Sequence, residues 1–382
     1  MKVVFIGNYY NHHQVSLSRV LYQRLQGQYA FIETCKIPEQ RLALGYTQFH
    51  EEPFLLSYER EKAACDTVIR EADMVIFGMA PQSLLKPAIK TGKLIFRYSE
   101  RPVKDKTEGY KYLVRLIKWH MYNPQRKPIY LLAAGAYVAY DYRKFGLFRH
   151  KAYQWGYFPD TKTYDDVDAM ITAKDEMRLL WCGRFLNWKH PDDAIKIAAR
   201  LKEEGYRFTL DIIGHGEMAA SLCQAISENG LEAQVRILSA MSPAEVRTHM
   251  EKAGIFLMTS DHMEGWGAVL NEAMNSGCAV VAGHAVGAVP VLIKHRQNGM
   301  IYETCNTDML YEQVKYLLDH PEEQVRLGKA AYETIVKEWN ADEAVERLLT
   351  VTERLLAGEP FPSLYHRGPC SRAELLSDQW KS

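Results

Sequence analysis

The sequence predicts an α/β protein with two doubly wound parallel-sheet domains that face each other across a deep cleft. The chain has 382 residues, whereas single hydrophobic cores stop growing at about 250–300 residues. Short β-branched runs alternate with helical patterns through most of the chain, an order typical of parallel sheets with right-handed crossovers. Residues 157–168 are polar and lack periodicity, which divides the chain into two halves.

The first predicted domain spans residues 1–160. Its opening apolar run ends at Ile6, too early for the hydrophobic region of a signal peptide, and so predicts a first strand at residues 3–6. Further apolar runs predict strands at residues 31–34, 74–77, 94–98 and 129–132. Apolar periodicity predicts helices at residues 14–26, 58–72, 82–91, 110–122 and 136–144.

The second predicted domain spans residues 161–340. Its strands are expected at residues 179–182, 210–213, 235–238, 255–258, 279–282 and 300–302, with helices between them and at about residues 322–338. Residues 273–293 carry no charge, but their glycines and Pro290 favour a strand, a turn and a helix over a membrane span. Residues 341–382, a helix and a proline-broken tail, are expected to return to the first domain.

The composition is that of an ordinary globular protein. Lys and Arg total 47, as do Asp and Glu, which excludes a collagen-like, disordered or uniformly basic nucleic-acid-binding chain. The balance is uneven, however, because residues 1–160 hold 24 bases and 14 acids whereas the remainder holds 23 and 33. Two surfaces with different partners are therefore expected. Seven scattered cysteines favour a reduced, cytosolic setting, and no residue spacing predicts a metal site.

The most informative segment is the run from Glu264 to Glu272. Gly265 and Gly267 come after a predicted strand and open a predicted helix, whose exposed amides suit a phosphate or diphosphate. A carboxylate accepts hydrogen bonds from two neighbouring hydroxyls, so the two glutamates suggest a sugar on each side of a diphosphate. A capping Glu264 and a solvated Glu272 are the alternative.

Two further segments supply features that a diphosphate site requires. Arg184 and Lys189 follow the first strand of the second half, where two cations can neutralise a departing nucleoside diphosphate. Gly214 and Gly216 follow the next strand. Such glycines also occur simply to make a turn, and the two bases by themselves are equally consistent with a surface loop.

Within residues 177–303, the segments GRF, IIGHGE, EGWGAVLNEAM and GCAVVAG together resemble the second domain of the retaining glycosyltransferases of family four. The resemblance implies the GT-B architecture, with Arg184 and Lys189 on the donor diphosphate, Glu264 on the transferred sugar and Glu272 on the ribose. It implies phosphate contacts from the amides of Gly214–Gly216 and of Gly265, Trp266 and Gly267, and a base contact near Met241. It implies neither cofactor nor metal; Asp166 and Asp168 match the metal motif of another architecture but lie in the linker.

The first half resembles the family less closely. Many relatives carry a sugar-contacting histidine after the fourth or fifth strand, where this chain reads FRYSERP. We expect Ser99, Glu100 or Arg101 to contact the sugar or acceptor instead, with a salt bridge from Glu100 to a neighbouring base as the competing explanation. His12 and His13 are further candidates, with a plain role at a helix start as the alternative.

A basic segment in the first half suggests an anionic partner. Residues 101–130 hold eight bases against Asp105 and Glu108. An apolar face is predicted from the helical spacing of Leu113, Leu116, Ile117 and Met121. Such a segment lies on an anionic leaflet or receives a lipid diphosphate. An ordinary helix packed on its own sheet, with a solvated basic rim, is the alternative.

These features predict a hexosyltransferase that moves a sugar from a nucleotide-sugar to a hydroxyl acceptor, and the resemblance to family four implies that it is retaining. Residues 161–340 are expected to bind the donor and residues 1–160 the acceptor, a lipid-linked glycan of capsule, exopolysaccharide or O-antigen synthesis. The expected setting is cytoplasmic and peripheral on the inner membrane face, with an anionic membrane surface, but no nucleic acid, as a further partner. The alternatives are a soluble small-molecule acceptor, a nucleotide-sugar epimerase and a non-catalytic nucleotide-sugar binding module.

Overall fold

The computed structural model describes residues 1–39, 52–104 and 110–380. The chain divides into two compact units. The first unit comprises Met1–Asp160 and Asn340–Ser377, and the second comprises Thr161–Trp339 and Asp378–Ser382. The cleft expected between two facing sheets stays a prediction.

The first unit contains a seven-stranded parallel sheet in the order β3-β2-β1-β4-β5-β6-β7. Its strands are β1 Val3–Gly7, β2 Tyr29–Glu33, β3 Leu55–Ser57, β4 Met74–Phe77, β5 Leu94–Ser99, β6 Ile129–Ala134 and β7 Ala152–Trp155. Its connecting helices are α1 His12–Arg24, α2 Lys62–Glu71, α3 Lys86–Thr91, α4 Tyr110–Tyr122 and α5 Val138–Lys144. The strand order reverses between β1 and β4, which is the position where doubly wound sheets bind ligands.

The second unit contains a six-stranded parallel sheet in the order β10-β9-β8-β11-β12-β13. Its strands are β8 Asp175–Cys182, β9 Thr209–Ile213, β10 Val235–Leu238, β11 Ala253–Met258, β12 Ala279–Gly283 and β13 Met300–Tyr302. Its helices are α6 Val167–Thr172, α7 Pro191–Glu203, α8 Ala219–Glu228, α9 Pro243–Lys252, α10 Ala268–Asn275, α11 Val289–Leu292, α12 Thr307–Asp319 and α13 Pro321–Lys337. Here the order reverses between β8 and β11.

The last helix, α14 Ala341–Leu356, belongs to the first unit. Asn340 caps it by accepting a hydrogen bond from the Glu343 N–H at 2.9 Å. On its surface Glu346 pairs with Arg24 of α1 at 3.2 Å. Further along, the Tyr130 hydroxyl donates to the Pro360 carbonyl at 2.7 Å, which ties the tail to β6.

The α/β class with two parallel sheets is confirmed. The sequence prediction missed two short edge strands, β3 and β7, because neither of them is a long apolar run. The uncharged stretch 273–293 contains the end of α10, then β12 and α11, as its glycines indicated. Among the described residues, no helix has the length and apolar character to span a membrane.

Candidate functional site

All the predicted donor residues except Glu272, which lies on α10, are on loops at one edge of the second sheet. The loops occupy residues 183–190 after β8, 214–218 after β9, 239–242 after β10 and 259–267 after β11. These four strands are neighbours and run parallel, so their carboxyl ends meet at the same edge. The loops after β8 and β11 flank the point where the strand order reverses, the usual ligand position in such sheets.

Three hydrogen bonds join the loop after β8 to the loop after β11. The Trp181 indole N–H donates to the Thr259 hydroxyl at 2.8 Å, and that hydroxyl donates to the Lys189 carbonyl at 2.7 Å. The Asp261 N–H donates to the Trp188 carbonyl at 2.9 Å. The backbone around Lys189 is therefore held against the loop that carries Glu264.

The two predicted diphosphate cations both lie near one indole, that of Trp188. The guanidinium carbon of Arg184 is 6.0 Å from the Trp188 ring centroid, and Lys189 Nζ is 4.9 Å from it. Lys189 also pairs with Glu264, Nζ to Oε2 at 2.5 Å. Within the described parts of the chain no carboxylate pairs with Arg184. The site thus has one cation engaged by a carboxylate and one whose charge is not countered.

The glycine turn after β9 fits closely against the loop after β8. A Cβ on Gly214 would lie 1.9 Å from the Gly183 carbonyl oxygen, and one on Gly216 would lie 2.5 Å from the Phe185 carbonyl oxygen. The Gly214 N–H already donates to the Leu238 carbonyl at 3.0 Å. The Gly214 amide is therefore engaged within the protein, and the glycines bring the two loops together; the phosphate contact expected from the turn stays a prediction.

Helix α10 begins without a side-chain cap. Its N-cap is Gly267, at φ +95, and in the described part of the chain this helix start has no side-chain cap. Uncapped amides at a helix start favour an anion. Trp266, whose amide is predicted to contact the donor phosphates, has its side chain in the core, where the indole N–H donates to Asn271 Oδ1 at 2.9 Å. Any donor contact of Trp266 is left to its backbone.

Glu272 lies on α10, partly buried. None of the described side chains forms a hydrogen bond or ion pair with its carboxyl group. Burial raises its pKa to about 7, against a smaller lowering effect of Arg247. A carboxylate without partners is unstable in such surroundings unless a ligand supplies donors.

Met241 is half-buried and comes just before Ser242, the N-cap of α9. The Ser242 and Glu245 side chains form a reciprocal capping box at that helix start. The cap fixes where α9 begins, and so fixes the end of the loop that contains Met241. The expected contact between this loop and a nucleotide base stays a prediction.

The sequence analysis missed a second pair that joins the same loops. His190, at φ +46, places Nε2 3.3 Å from Asp261 Oδ2. The hydrogen bond to Asp261 raises the pKa of His190. Asp261 also accepts from the Met263 N–H at 2.8 Å, which shapes the loop before Glu264. The sequence did contain one signal for this position: His190 comes directly before Pro191, a residue type that is common as the first residue of a helix.

In the first unit, Tyr157 links two of the predicted sugar or acceptor residues. The His13 ring stacks on Tyr157 with 5.4 Å between centroids, and the Tyr157 hydroxyl donates to Glu100 Oε1 at 2.7 Å. Lys104 Nζ donates to the other Glu100 oxygen at 3.0 Å. The salt-bridge alternative for Glu100 is thus present in the structure. His12 lies beside His13, and burial lowers its pKa.

Arg101 and Ser99 face other parts of the same unit. Arg101 forms a two-point contact with Asp141, Nε to Oδ2 at 2.7 Å, and both side chains are less than a tenth exposed. The Ser99 hydroxyl donates to the Glu100 carbonyl at 2.7 Å and lies 3.0 Å from the Tyr142 hydroxyl. These contacts engage both side chains within the protein, so packing accounts for them without an acceptor.

The Asp166 and Asp168 pair, set aside as a metal motif from its sequence position, has a structural role. Asp166 caps α6 by accepting from the Ala169 N–H at 2.8 Å, and Asp168 pairs with Lys329 at 2.9 Å.

Residues 167–334 match the family model described as "Glycosyl transferases group 1". The chain is 30% identical over 184 residues to the amylovoran biosynthesis glycosyltransferase AmsK of Erwinia amylovora, covering 47% of this chain and 45% of that protein. It is 26% identical to a GDP-mannose-dependent phosphatidylinositol monomannoside mannosyltransferase of Mycobacterium tuberculosis, covering 50% and 51%. The chain thus spans about half the length of the curated relatives that it matches.

Similar solved structures extend over nearly the whole chain. Anabaena Alr3699/HepE, solved with UDP, has a TM-score of 0.68 at 14% identity and covers 92% of this chain and 100% of its own. WaaG, a glycosyltransferase of lipopolysaccharide biosynthesis, has a TM-score of 0.62 at 15% identity and covers 93% and 100%. Residues 167–334 of the second unit are therefore similar to the glycosyl transferases group 1 family, and the chain has the GT-B fold of these solved structures.

Proposed function

We propose that this chain is a retaining glycosyltransferase that moves a hexose from a nucleotide-sugar to a hydroxyl acceptor. The observation that carries the proposal is the arrangement of Arg184 and Lys189 beside Glu264 and the uncapped start of α10. Cleavage of a nucleotide-sugar leaves a nucleoside diphosphate with developing negative charge, and the largest catalytic contribution is expected from groups already oriented toward that charge.

In this proposal Arg184 and Lys189, both next to Trp188, supply that stabilisation. Arg184 offers a planar guanidinium whose charge no described carboxylate balances, which suits a bidentate contact with a phosphate. Lys189 is already oriented by Glu264. A diphosphate that approaches Lys189 thus shares the ammonium with a carboxylate, which supports the assignment of Glu264 to the sugar attached to the phosphates.

Glu272 fits the nucleoside end of the donor. Its carboxylate can accept hydrogen bonds from both ribose hydroxyls at once, and within the described protein it has no other hydrogen-bond donor. Ribose binding would therefore stabilise a charge that burial otherwise disfavours.

The proposal of retention rests on the family-four resemblance. In the front-side mechanism considered for such enzymes, the leaving phosphate takes the acceptor proton, so no separate base is required. Glu264 is paired with a lysine, which lowers its nucleophilicity and suits it to orient the sugar rather than attack it.

For the acceptor we propose a lipid-linked glycan, with the protein on the cytoplasmic face of a membrane. Two relatives support this choice by their names: one is a glycosyltransferase of amylovoran biosynthesis, and the other acts on phosphatidylinositol monomannoside, a lipid-anchored sugar. The surplus of bases in residues 1–160 is consistent with an anionic acceptor.

A thermal-shift panel of UDP-, GDP-, ADP- and TDP-sugars tests the donor site, because a ligand that binds the native state raises the melting temperature. We expect one nucleotide series to stabilise the protein. Glu272→Ala should lose the shift from nucleotide and nucleotide-sugar alike, whereas Glu264→Ala should lose mainly the part that depends on the sugar.

Glu312→Ala, on the exposed face of α12, is the matched control and should behave like the unaltered protein. Equal losses in the Glu264 and Glu272 variants would contradict the assigned roles. Turnover with membrane extracts completes the test: donor epimerisation without acceptor would identify an epimerase, and binding without turnover would identify a binding module.

A further inference from the structure

Helix α4 presents large apolar side chains to solvent. Leu113, Val114, Ile117 and Met121, which we name the α4 stripe, are 59%, 45%, 67% and 57% exposed. The sequence predicted one apolar face including Leu116, and packing against the sheet was the alternative to a membrane role. In the structure Leu116 is half-buried, whereas the four residues of the stripe face outward.

The opposite face of α4 is anchored by aromatic rings. The Trp119 ring lies 4.8 Å from Phe145 and 6.0 Å from Tyr142, and the Tyr112 ring lies 5.8 Å from Phe145. The His120 ring contacts the Phe145 carbonyl at 2.9 Å. These contacts fix the rotation of the helix about its own axis, so the outward direction of the stripe follows from packing.

Cations adjoin the stripe on the same helix. At about 100° per residue, the stripe covers an arc of roughly 100°, and Lys118 and Arg115 occupy the arc beside it, between the stripe and the anchored face. Both are exposed, and α4 contains no acidic residue. Apolar residues next to a basic arc are typical of helices that lie in the plane of a membrane interface. Asp105, Lys106 and Glu108 of the same basic segment lie outside the described residues.

We propose that the α4 stripe docks this protein onto an anionic lipid bilayer. The apolar side chains enter the interface between headgroups and acyl chains, while Lys118 and Arg115 lie at the level of the lipid phosphates. Charge decides against a second copy of this chain, because a symmetric contact through two stripes would bring two basic arcs together. The surplus of 24 bases over 14 acids in residues 1–160 favours the same anionic occupant.

This inference goes beyond the proposed sugar transfer and does not depend on it. Docking is measured with lipid alone, without donor or acceptor. A failure of docking therefore leaves the donor-site experiments unaffected, and a failure of those experiments leaves docking unaffected. If both hold, the membrane would concentrate the enzyme at a lipid-linked acceptor.

The test is co-sedimentation with vesicles of equal parts phosphatidylglycerol and phosphatidylcholine, compared with pure phosphatidylcholine. We expect the full chain to bind the anionic vesicles and to release partly at high salt. Each basic residue near an anionic surface contributes about 1 kcal/mol, so reversing one charge in Ile117→Ser/Lys118→Glu should lower the partition coefficient about thirtyfold, with a further loss from Ile117.

The matched control is Arg354→Glu/Leu356→Ser, which alters one base and one exposed apolar residue near the end of α14 in the same unit. It should bind as the unaltered protein does, and both variants should keep its melting temperature because all four side chains are exposed. Anionic vesicles that fail to pull down the unaltered chain, or that retain the α4 variant fully, would overturn the proposal. An oligomer that the α4 variant dissolves would reassign the stripe to a second copy.

Discussion

Lys189 and Glu264 form an ion pair between the loops after β8 and β11, Nζ to Oε2 at 2.5 Å, with side chains 12% and 15% exposed. Ser260 contributes a hydroxyl 3.3 Å from the same carboxylate oxygen. The pair places a cation for phosphate and a carboxylate for sugar hydroxyls within one contact. On the proposed assignment of Lys189 to the donor diphosphate, the ligand would therefore compete with Glu264 for Lys189.

That competition predicts opposite effects of two substitutions. Glu264→Gln should keep nucleoside diphosphate affinity or raise it several-fold, because Lys189 no longer shares its charge, while kcat falls about a hundredfold or more. Lys189→Met should weaken nucleoside diphosphate binding about tenfold or more. Calorimetric titration with the nucleotide, paired with initial rates, measures both. A Glu264→Gln variant that loses nucleotide affinity as strongly as Lys189→Met would refute the shared-lysine model.

Glu272 predicts a pH dependence of nucleotide binding. Its pKa is raised to about 7 by burial, and ribose hydroxyls donate hydrogen bonds to the deprotonated carboxylate. Binding should therefore release a proton and tighten as pH rises, by about tenfold between roughly pH 6 and pH 8, as the carboxylate fraction grows. Titrations across this range in buffers of differing ionisation enthalpy measure the affinity and the proton release.

Glu272→Gln is the control, because it removes the titration and should flatten the pH profile. The sign for stability follows from the raised pKa. Between pH 4.5 and about 7 the folded protein keeps the Glu272 proton that the unfolded chain has lost. The contribution of Glu272 to the free energy of unfolding is therefore fully present below pH 4.5 and is lost as the pH rises through about 7. Glu272→Gln should therefore gain stability relative to the unaltered chain above pH 7 and gain nothing below 4.5. A nucleotide affinity that stays constant with pH would contradict the ribose assignment.

Local sequence patterns predict the order of strands and helices well. Strands such as Met74–Phe77 are continuous apolar runs, and helices such as Ala341–Leu356 have apolar residues at helical spacing. Edge strands such as Ala152–Trp155 are not predicted, because a short strand that pairs at the edge of a sheet needs no long apolar run. The donor segments could be recognised because each contains its motif residues within a few positions of the end of a strand. What those motifs cannot predict is how a side chain packs, so they gave no indication that the Trp266 indole lies in the core.

The rotation of a helix about its axis and the ion-pair partner of a side chain likewise depend on tertiary packing. The periodicity of α4 predicts a helix with an apolar face, but only packing of Trp119 on Phe145 determines that the stripe faces outward. Arg101 shows the same limit. A base in a loop after β5 suits a ligand, yet Asp141, forty residues later, forms a buried pair with it. His190 and Asp261 are also far apart in sequence and gave no joint signal.

The buried pair of Arg101 and Asp141 predicts a structural phenotype. Among the described cations, Arg101→Met leaves the Asp141 carboxylate, less than a tenth exposed, with the longer contact from Lys144 at 3.5 Å. The substitution should cost about 3 kcal/mol of unfolding free energy. The double variant Arg101→Met/Asp141→Leu removes both charges and should recover most of the loss. Urea unfolding of the single and double variants measures this. An Arg101→Met protein with unaltered stability and impaired transfer would restore the acceptor role instead.

Two glycines with positive φ, Gly214 in the turn after β9 and Gly205 elsewhere, should differ greatly in how well they tolerate substitution by alanine. Gly214 has φ +150, and a Cβ added to it would lie 1.9 Å from the Gly183 carbonyl oxygen. Gly205 has φ +84, and a Cβ added to it would meet open space. Gly205→Ala should cost about 1 kcal/mol for its left-handed conformation alone. Gly214→Ala must also move backbone next to Arg184 and should cost about 4 kcal/mol or more, with a loss of the nucleotide-induced thermal shift. Urea unfolding measures both costs; equal values would show that the two loops separate easily, and that the close approach of the turn does not position Arg184.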